Sequence, residues 1–379
     1  MAGIYIHIPF CSQFCIYCDF YSVKQTGKID DFIRSLLSEI ELRRDFFVAC
    51  NSKPVTIYIG GGTPSLLSSG KLSLIIDSLR RNFGISNMND IEEFTIEVNP
   101  DDISREYLLA LRALGINRLS MGIQSFADED LKWMNRRHNS AKAVESYFTA
   151  RECGFDNISL DLIFGYSLLT MEKWRNNLKK MIELRPEHIS SYQLGIERGT
   201  KLGKEFAQGT YLPLPEDICY EQYSMLQDLL NESGYNQYEI SNFALTGREA
   251  RHNSAYWNHT PYLGLGPSAH SFNGSVRSWN YSDLNRYISN VMTSKGYFRE
   301  EVLSHKDIFN EKIMLSLRKV SGLDLKKLQE DSNPGQFKIF KKQLDYAIEK
   351  GLVVLDGENI KIPSDKLFVS DGIIRDLIL

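Results

Sequence analysis

Cysteine is scarce in this chain. There are six in 379 residues, three of them crowded into Cys11–Cys18 and the rest scattered at Cys50, Cys153 and Cys219. So few and so uneven a set excludes an extracellular disulfide framework. The scattered three read as small buried hydrophobes. Long hydrophobic runs are missing too. No apolar stretch approaches the ~18 residues that a bilayer span requires. The stretch Ile4–Phe10 is too short for a secretory leader, carries His7 and runs straight into the cysteines. Charge of one sign is also lacking: Lys and Arg number 44 against 48 Asp and Glu, for a net charge of −4. With no long basic run, nucleic acid is not an expected partner. Internal repeats and low-complexity tracts are absent. What remains is a 42% hydrophobic, 24% charged chain, long enough for one large α/β domain plus a smaller module. The expected location is the cytoplasm.

Apolar, β-branched runs predict strands at Ile4–Ile8, Val55–Ile59, Phe94–Val98, Arg118–Ile123, Ile158–Ile163 and His188–Leu194. Helical periodicity lies between them. Phe32, Leu36, Ile40 and Phe47 share one face, as do Leu72, Ile75, Ile76 and Leu79, and again Tyr107, Leu111 and Leu114. Alternation of this kind means parallel βαβ units, which close into a barrel or open into a wound sheet. The strand ends favour the barrel. They run into Cys11 onward, Gly60–Pro64, Glu97–Pro100, Gln124 and Asp161, and the carboxyl ends of barrel strands build active sites. Residues 1–235 are therefore expected to form the barrel. Residues 236–302 form an aromatic, glycine-rich extension, and residues 303–379 a helical module. Leu202–Pro215 reads as a loop and Ile218–Ser233 as a helix. In the last module three helices (Ile308–Leu317, Leu325–Glu330, Phe340–Lys350) precede a hairpin of Val353–Leu355 and Ile360–Ile362, a winged-helix pattern.

Cys11-Ser-Gln-Phe-Cys15-Ile-Tyr-Cys18 follows the first strand. Thiolates hold iron–sulfur clusters, and three close cysteines leave the fourth iron of a cubane open for a small reactant. The competing reading is zinc on Cys11, Cys15, Cys18 and His7, although structural zinc more often uses paired short knuckles. Aromatic residues interleave the cysteines (Phe10, Phe14, Tyr17, Phe20, Tyr21), and would shield a cluster from water. Gly60-Gly61-Gly62-Thr63-Pro64 lets backbone approach a ligand closely. Glu97 can accept from ribose hydroxyls.

CxxxCxxC at the end of a first strand resembles the radical S-adenosylmethionine superfamily. Its fold is a partial, TIM-like parallel barrel. The resemblance implies a [4Fe–4S] cluster on Cys11, Cys15 and Cys18, with S-adenosylmethionine at its open iron. The stretches Ser120–Phe126, Asn135-Arg136 and Asp161–Gly165 further resemble the oxygen-independent coproporphyrinogen III oxidase family. That similarity implies cofactor contacts from Tyr5, Tyr17, Gly61, Gly62, Thr63, Glu97, Gln124, Arg136 and Asp161.

Two functions diverge within that family: the oxidase, and the HemW type, a heme chaperone. Three features favour the second. The oxidase pattern has a further cysteine two residues after the third, where this chain has Phe20. Only ten residues precede Cys11, whereas oxidases carry a sizeable leading segment. Arg251-His252-Asn253-Ser-Ala-Tyr256-Trp257 matches the HNxxYW motif of the heme chaperones. Histidine is a common axial ligand of heme iron, and His252 is placed ahead of His270, His7 and His259. The implied partners are heme and client heme proteins, respiratory and membrane-associated ones among them. The chain is then a carrier more than an enzyme, working as a monomer or a homodimer. Three alternatives stand beside it: the oxidase itself, a radical methyltransferase that opens the heme ring, and a zinc-stabilised interaction protein.

Overall fold

The structure, a computed structural model, describes residues 2–379. Six strands carry the first half: β1 (Ala2–Ile8), β2 (Pro54–Gly61), β3 (Glu93–Val98), β4 (Arg118–Gln124), β5 (Ile158–Phe164) and β6 (His188–Gln193). Each pairs in parallel with the next. All six were legible as apolar runs. Their alternation explains the rest of the architecture. One face of each strand is aliphatic, as with Ile4, Ile6 and Ile8, or Ile57 and Ile59, or Leu119, Met121 and Ile123, all fully buried. Helices cover this face with Phe32, Leu36 and Ile40 or Leu72, Ile75 and Leu79. Each such side chain is worth about 1.5–3 kcal/mol on burial. The opposite face is polar: Tyr5 and His7, Thr56 and Tyr58, Glu93, Thr95 and Glu97, Arg118 and Ser120, Ser159 and Asp161, His188 and Ser190. A polar inner face can be kept only if its groups are paired or face a ligand.

Four of the helices between strands start where the chain supplies a side-chain acceptor. Ser68, Ser104, Asn139 and Thr170 cap helices Ser69–Phe83, Arg105–Ala113, Ser140–Glu152 and Met171–Leu184. One segment departs from the reading as a loop. Lys201–Ala207, which overlaps Leu202–Pro215, is helical and capped by Thr200. Gly203, which looked like a loop signal, is there for contact instead: a Cβ would stand 2.0 Å from the Glu197 carbonyl oxygen.

Residues 236–302 extend the same sheet with six short strands: β7 (Asn236–Gln237), β8 (Asn242–Ala244), β9 (Tyr262–Leu265), β10 (His270–Phe272), β11 (Val276–Asn280) and β12 (Phe298–Val302). The order across the sheet is β12-β11-β10-β9-β1-β2-β3-β4-β5-β6-β8-β7. β9 runs parallel to β1, and the outer strands on both flanks are antiparallel. Among the described residues β12 and β7 do not pair, so the barrel is open. The motif Arg251–Trp257 is a helix between β8 and β9. Strands of two to five residues carry too little pattern to be read from sequence.

The last module has helices His305–Leu317, Leu325–Glu330 and Pro334–Glu349, with strands Leu323–Asp324, Val354–Asp356 and Asn359–Lys361 in one small antiparallel sheet. A further helix, Ser370–Leu377, closes the chain against His305–Leu317. Among the described residues no helix is long and apolar enough to cross a membrane.

Candidate functional site: a polar cavity rimmed by three cysteines

The carboxyl ends of β2 to β6 and the connection that follows β1 line one cavity of about 940 Å³. Cys11, Cys15 and Cys18 stand on the long connection after β1 and line its rim. Cys11 Sγ lies 3.4 Å from Thr63 Oγ1, and Arg136 Nη1 lies 3.4 Å from Cys15 Sγ. Burial pushes the Cys11 thiol up and the Cys18 thiol up to about 11. These are neutral thiols until bound metal draws off their protons. Among the described residues no three His, Cys, Asp or Glu side chains converge on a single ion.

β2 delivers the glycine turn beside these thiols. The Gly62 N–H donates to the Ile8 carbonyl at 2.8 Å. A Cβ on Gly62 would come within 2.7 Å of the Phe10 carbonyl oxygen and 3.0 Å of Cys11 Sγ. Backbone and sulfur can approach this closely only over a glycine. From β3, Glu97 accepts from the Tyr58 hydroxyl at 2.9 Å and from the Gly61 N–H at 3.1 Å. Burial raises its carboxyl to about 7. Asp161 on β5, within 3.5 Å of the Ser120 and Ser159 hydroxyls, is raised to about 6 by the same cause.

β4 ends in a bulge between Gly122 and Gln124, and Gln124 sits at φ +70°. A bulge re-aims a side chain. This one turns Gln124 into the cavity, at the cost of a left-handed backbone that non-glycine residues adopt reluctantly. Arg136 donates to the Gly122 carbonyl at 2.6 Å, and its buried Nε has no partner. The Nε of Arg118, fully buried on the inner face of β4, is likewise unpartnered. Thiols on one rim, a glycine cradle and two orphaned guanidinium donors suit a cubane cluster and a zwitterionic ligand bearing a carboxylate.

Of the residues singled out from sequence, Cys11, Cys15, Cys18, Tyr17, Gly61, Gly62, Thr63, Glu97, Gln124, Arg136 and Asp161 line this cavity together. Tyr5 lies beneath it, its hydroxyl 3.1 Å from His7 Nδ1. The ranked histidines are elsewhere. His252 is 2% exposed, with Nδ1 2.9 Å from Thr56 Oγ1 and Nε2 2.9 Å from the Tyr256 hydroxyl. His7 is buried, with Nε2 2.7 Å from the Tyr21 carbonyl. His259 meets Glu311 at 3.2 Å, and the exposed His270 stacks on Trp279. Among the described residues no histidine lines the cavity. Its mouth carries exposed Phe20 (70%) and Phe14, with Lys24 Nζ 5.0 Å from the Phe14 ring centre. Ser120, the first residue of the stretch Ser120–Phe126, lines it too, as do Tyr58, Arg118, Ser159, Ser190 and Tyr192, which escaped the sequence reading. The available signal was polarity at every second position of an apolar strand.

An open parallel barrel with three spaced thiols over a glycine cradle defines a radical S-adenosylmethionine protein, and the profile of the Radical SAM superfamily matches residues 5–181. The profile of the HemN C-terminal domain matches residues 303–364. The chain is 35% identical to the heme chaperone HemW of Lactococcus lactis, over 96% of this chain and 93% of that one. It is 36% identical to the heme chaperone HemW of Bacillus subtilis, over 93% of each chain. The solved structure of coproporphyrinogen III oxidase (HemN) from Escherichia coli superposes with a TM-score of 0.85 at 26% identity, covering 100% of this chain and 90% of that one. The chain belongs to the HemW family.

Proposed function

We propose that this chain carries heme and hands it to client heme proteins in the cytoplasm. In this reading Cys11, Cys15 and Cys18 hold a [4Fe–4S] cluster, which when bound supplies an open iron for the amino and carboxylate groups of S-adenosylmethionine. Gly61, Gly62 and Thr63 receive the methionine end, and Glu97 accepts from the ribose hydroxyls. Tyr17, Gln124, Arg136 and Asp161 enclose the remainder. The heme seat is the cavity mouth. There the exposed Phe14 and Phe20 rings offer apolar faces to a porphyrin. Lys24, Lys201 and Lys204 on the same rim offer cations to its propionates.

The observation that carries the reading is similarity to curated heme chaperones along nearly the whole chain. Phe20 supports it, standing 70% exposed where the oxidase pattern has a cysteine. The oxidase stays as a second reading because of the 0.85 TM-score to its structure.

Anaerobic reconstitution followed by heme titration tests both. The carrier reading expects about four irons per chain, as a cubane requires, and a cluster spectrum that changes on adding S-adenosylmethionine. It also expects saturable heme binding that Phe14→Ser and Phe20→Ser weaken. Stoichiometric zinc in a colourless protein would remove the cluster. Turnover of coproporphyrinogen with a reductant would replace the carrier by the oxidase.

A further inference from the structure

The helix Arg251–Trp257 is pinned against the polar face of the sheet, beneath the cavity. One Glu93 carboxylate accepts both the Arg251 N–H at 2.7 Å and the His252 N–H at 3.1 Å. The His252 ring is engaged at both nitrogens, by Thr56 and by Tyr256, so no nitrogen is left for a ligand. Gly3 completes the seat: a Cβ there would stand 3.0 Å from both His252 Cε1 and Thr56 Oγ1. The motif is built into the barrel from β1, β2 and β3 at once.

Contacts lead upward from this seat. The His252 ring stacks on Tyr58 with centroids 5.3 Å apart and planes 28° apart. Tyr58 in turn stacks on Tyr5 at 6.1 Å. The Tyr58 hydroxyl donates to Glu97, whose other oxygen takes the Gly61 N–H. Gly60 confirms how tightly this layer is closed, since a Cβ would lie 2.8 Å from both Glu97 Oε1 and Tyr58 Cε1. Tyr58 therefore has His252 on one side and the cofactor cradle on the other.

We propose that His252 is a positioning residue for the cofactor cavity: its stack on Tyr58 fixes the phenol that aims the Glu97 carboxylate beside Gly61. The HNxxYW motif then acts on S-adenosylmethionine binding and not as a ligand of heme iron. The inference rests on Glu97 serving the adenosyl ribose, as proposed above.

The test uses full-length reconstituted protein and three readouts: S-adenosylmethionine affinity from the change in the cluster spectrum, heme affinity from the Soret band, and the melting temperature. His252→Ala is expected to weaken S-adenosylmethionine about tenfold, the equivalent of one hydrogen bond to a charged group, with heme affinity unchanged. Tyr58→Phe keeps the ring stack and removes only the donor to Glu97. It should reproduce the loss at an almost unchanged melting temperature. His252→Phe, which restores a ring against Tyr58, should recover part of it. Wild-type S-adenosylmethionine affinity in Tyr58→Phe overturns the proposal even if the His252 variants fail to fold. So does a loss of heme affinity in a folded His252→Ala. A wild-type cluster that ignores S-adenosylmethionine sinks the underlying cofactor assignment instead, before any variant is compared.

Discussion

Gly62→Ala isolates the close approach of the β2 turn to the first thiol. The added methyl would meet the Phe10 carbonyl oxygen at 2.7 Å, Cys11 Sγ at 3.0 Å and the Ile8 carbonyl oxygen at 3.1 Å. Two of these are backbone atoms, so no rotamer change relieves them. The Gly62 backbone is not in the left-handed region, so the penalty is steric alone. Overpacking at a site that cannot relax costs about 1–3 kcal/mol, and the backbone contacts argue for the upper half. Gly70→Ala is the control. Gly70 lies in helix Ser69–Phe83 with nothing within 4 Å of its would-be Cβ. That variant should gain about 0.5–1 kcal/mol from helix propensity. Urea unfolding of the apo-proteins reads the stability difference, and iron and sulfide per chain after reconstitution read the displacement of Cys11. Gly62→Ala should lose on both. A Gly62→Ala protein as stable as the wild type, with a full complement of iron, would refute the cradle.

The share of apo-protein stability that depends on Glu97 and Asp161 should fall as pH rises from about 5 to 7.5, against the opposite trend of the buried His7, His138, His188 and His252, whose folded-state values lie below the ordinary imidazole value. Glu97 near 7 and Asp161 near 6 have folded-state values above their unfolded ones. Their contribution is complete below the unfolded values and is lost as pH climbs through the folded ones, on the order of 3 kcal/mol for Glu97. Relative to Glu97→Gln, the wild type should lose stability as pH rises across that range, and a difference between the two that does not change with pH would count against the assignment. Glu39 lies fully buried in helix Ile29–Leu42 and accepts from the Tyr287 hydroxyl, the Gly266 N–H and Asn280 Nδ2. Glu39→Ala strands three donors and should cost about 3–5 kcal/mol by urea denaturation, with Glu39→Gln much milder.

The six parallel strands and the order of their terminal motifs were legible because each strand is apolar on its helix-facing side and its chemistry sits at its end. The thiols, the glycine turn, Glu97 and Asp161 could be assembled that way. Arg118 and Tyr58 were not, since within a strand they look like interruptions of an apolar run. Only the barrel's curvature gives such interruptions a common interior. His252 shows the opposite limit. Its motif was visible, but whether its ring nitrogens are free depends on Thr56 and Tyr256, and sequence does not say which side chains will meet. The short strands β7 to β12 were missed because their pairing is dictated by the long strands they extend.

The place of β1 in the sheet bears on how the protein is made. On one side β1 pairs with β2, which begins at Pro54, and on the other with β9, which begins at Tyr262. As the chain leaves the ribosome the first edge is covered early. The second stays open until some two-thirds of the polypeptide exists, a long-range closure of the kind that slows folding. The cysteine loop grows directly from that unfinished strand. For most of synthesis its thiols therefore hang from a half-built wall.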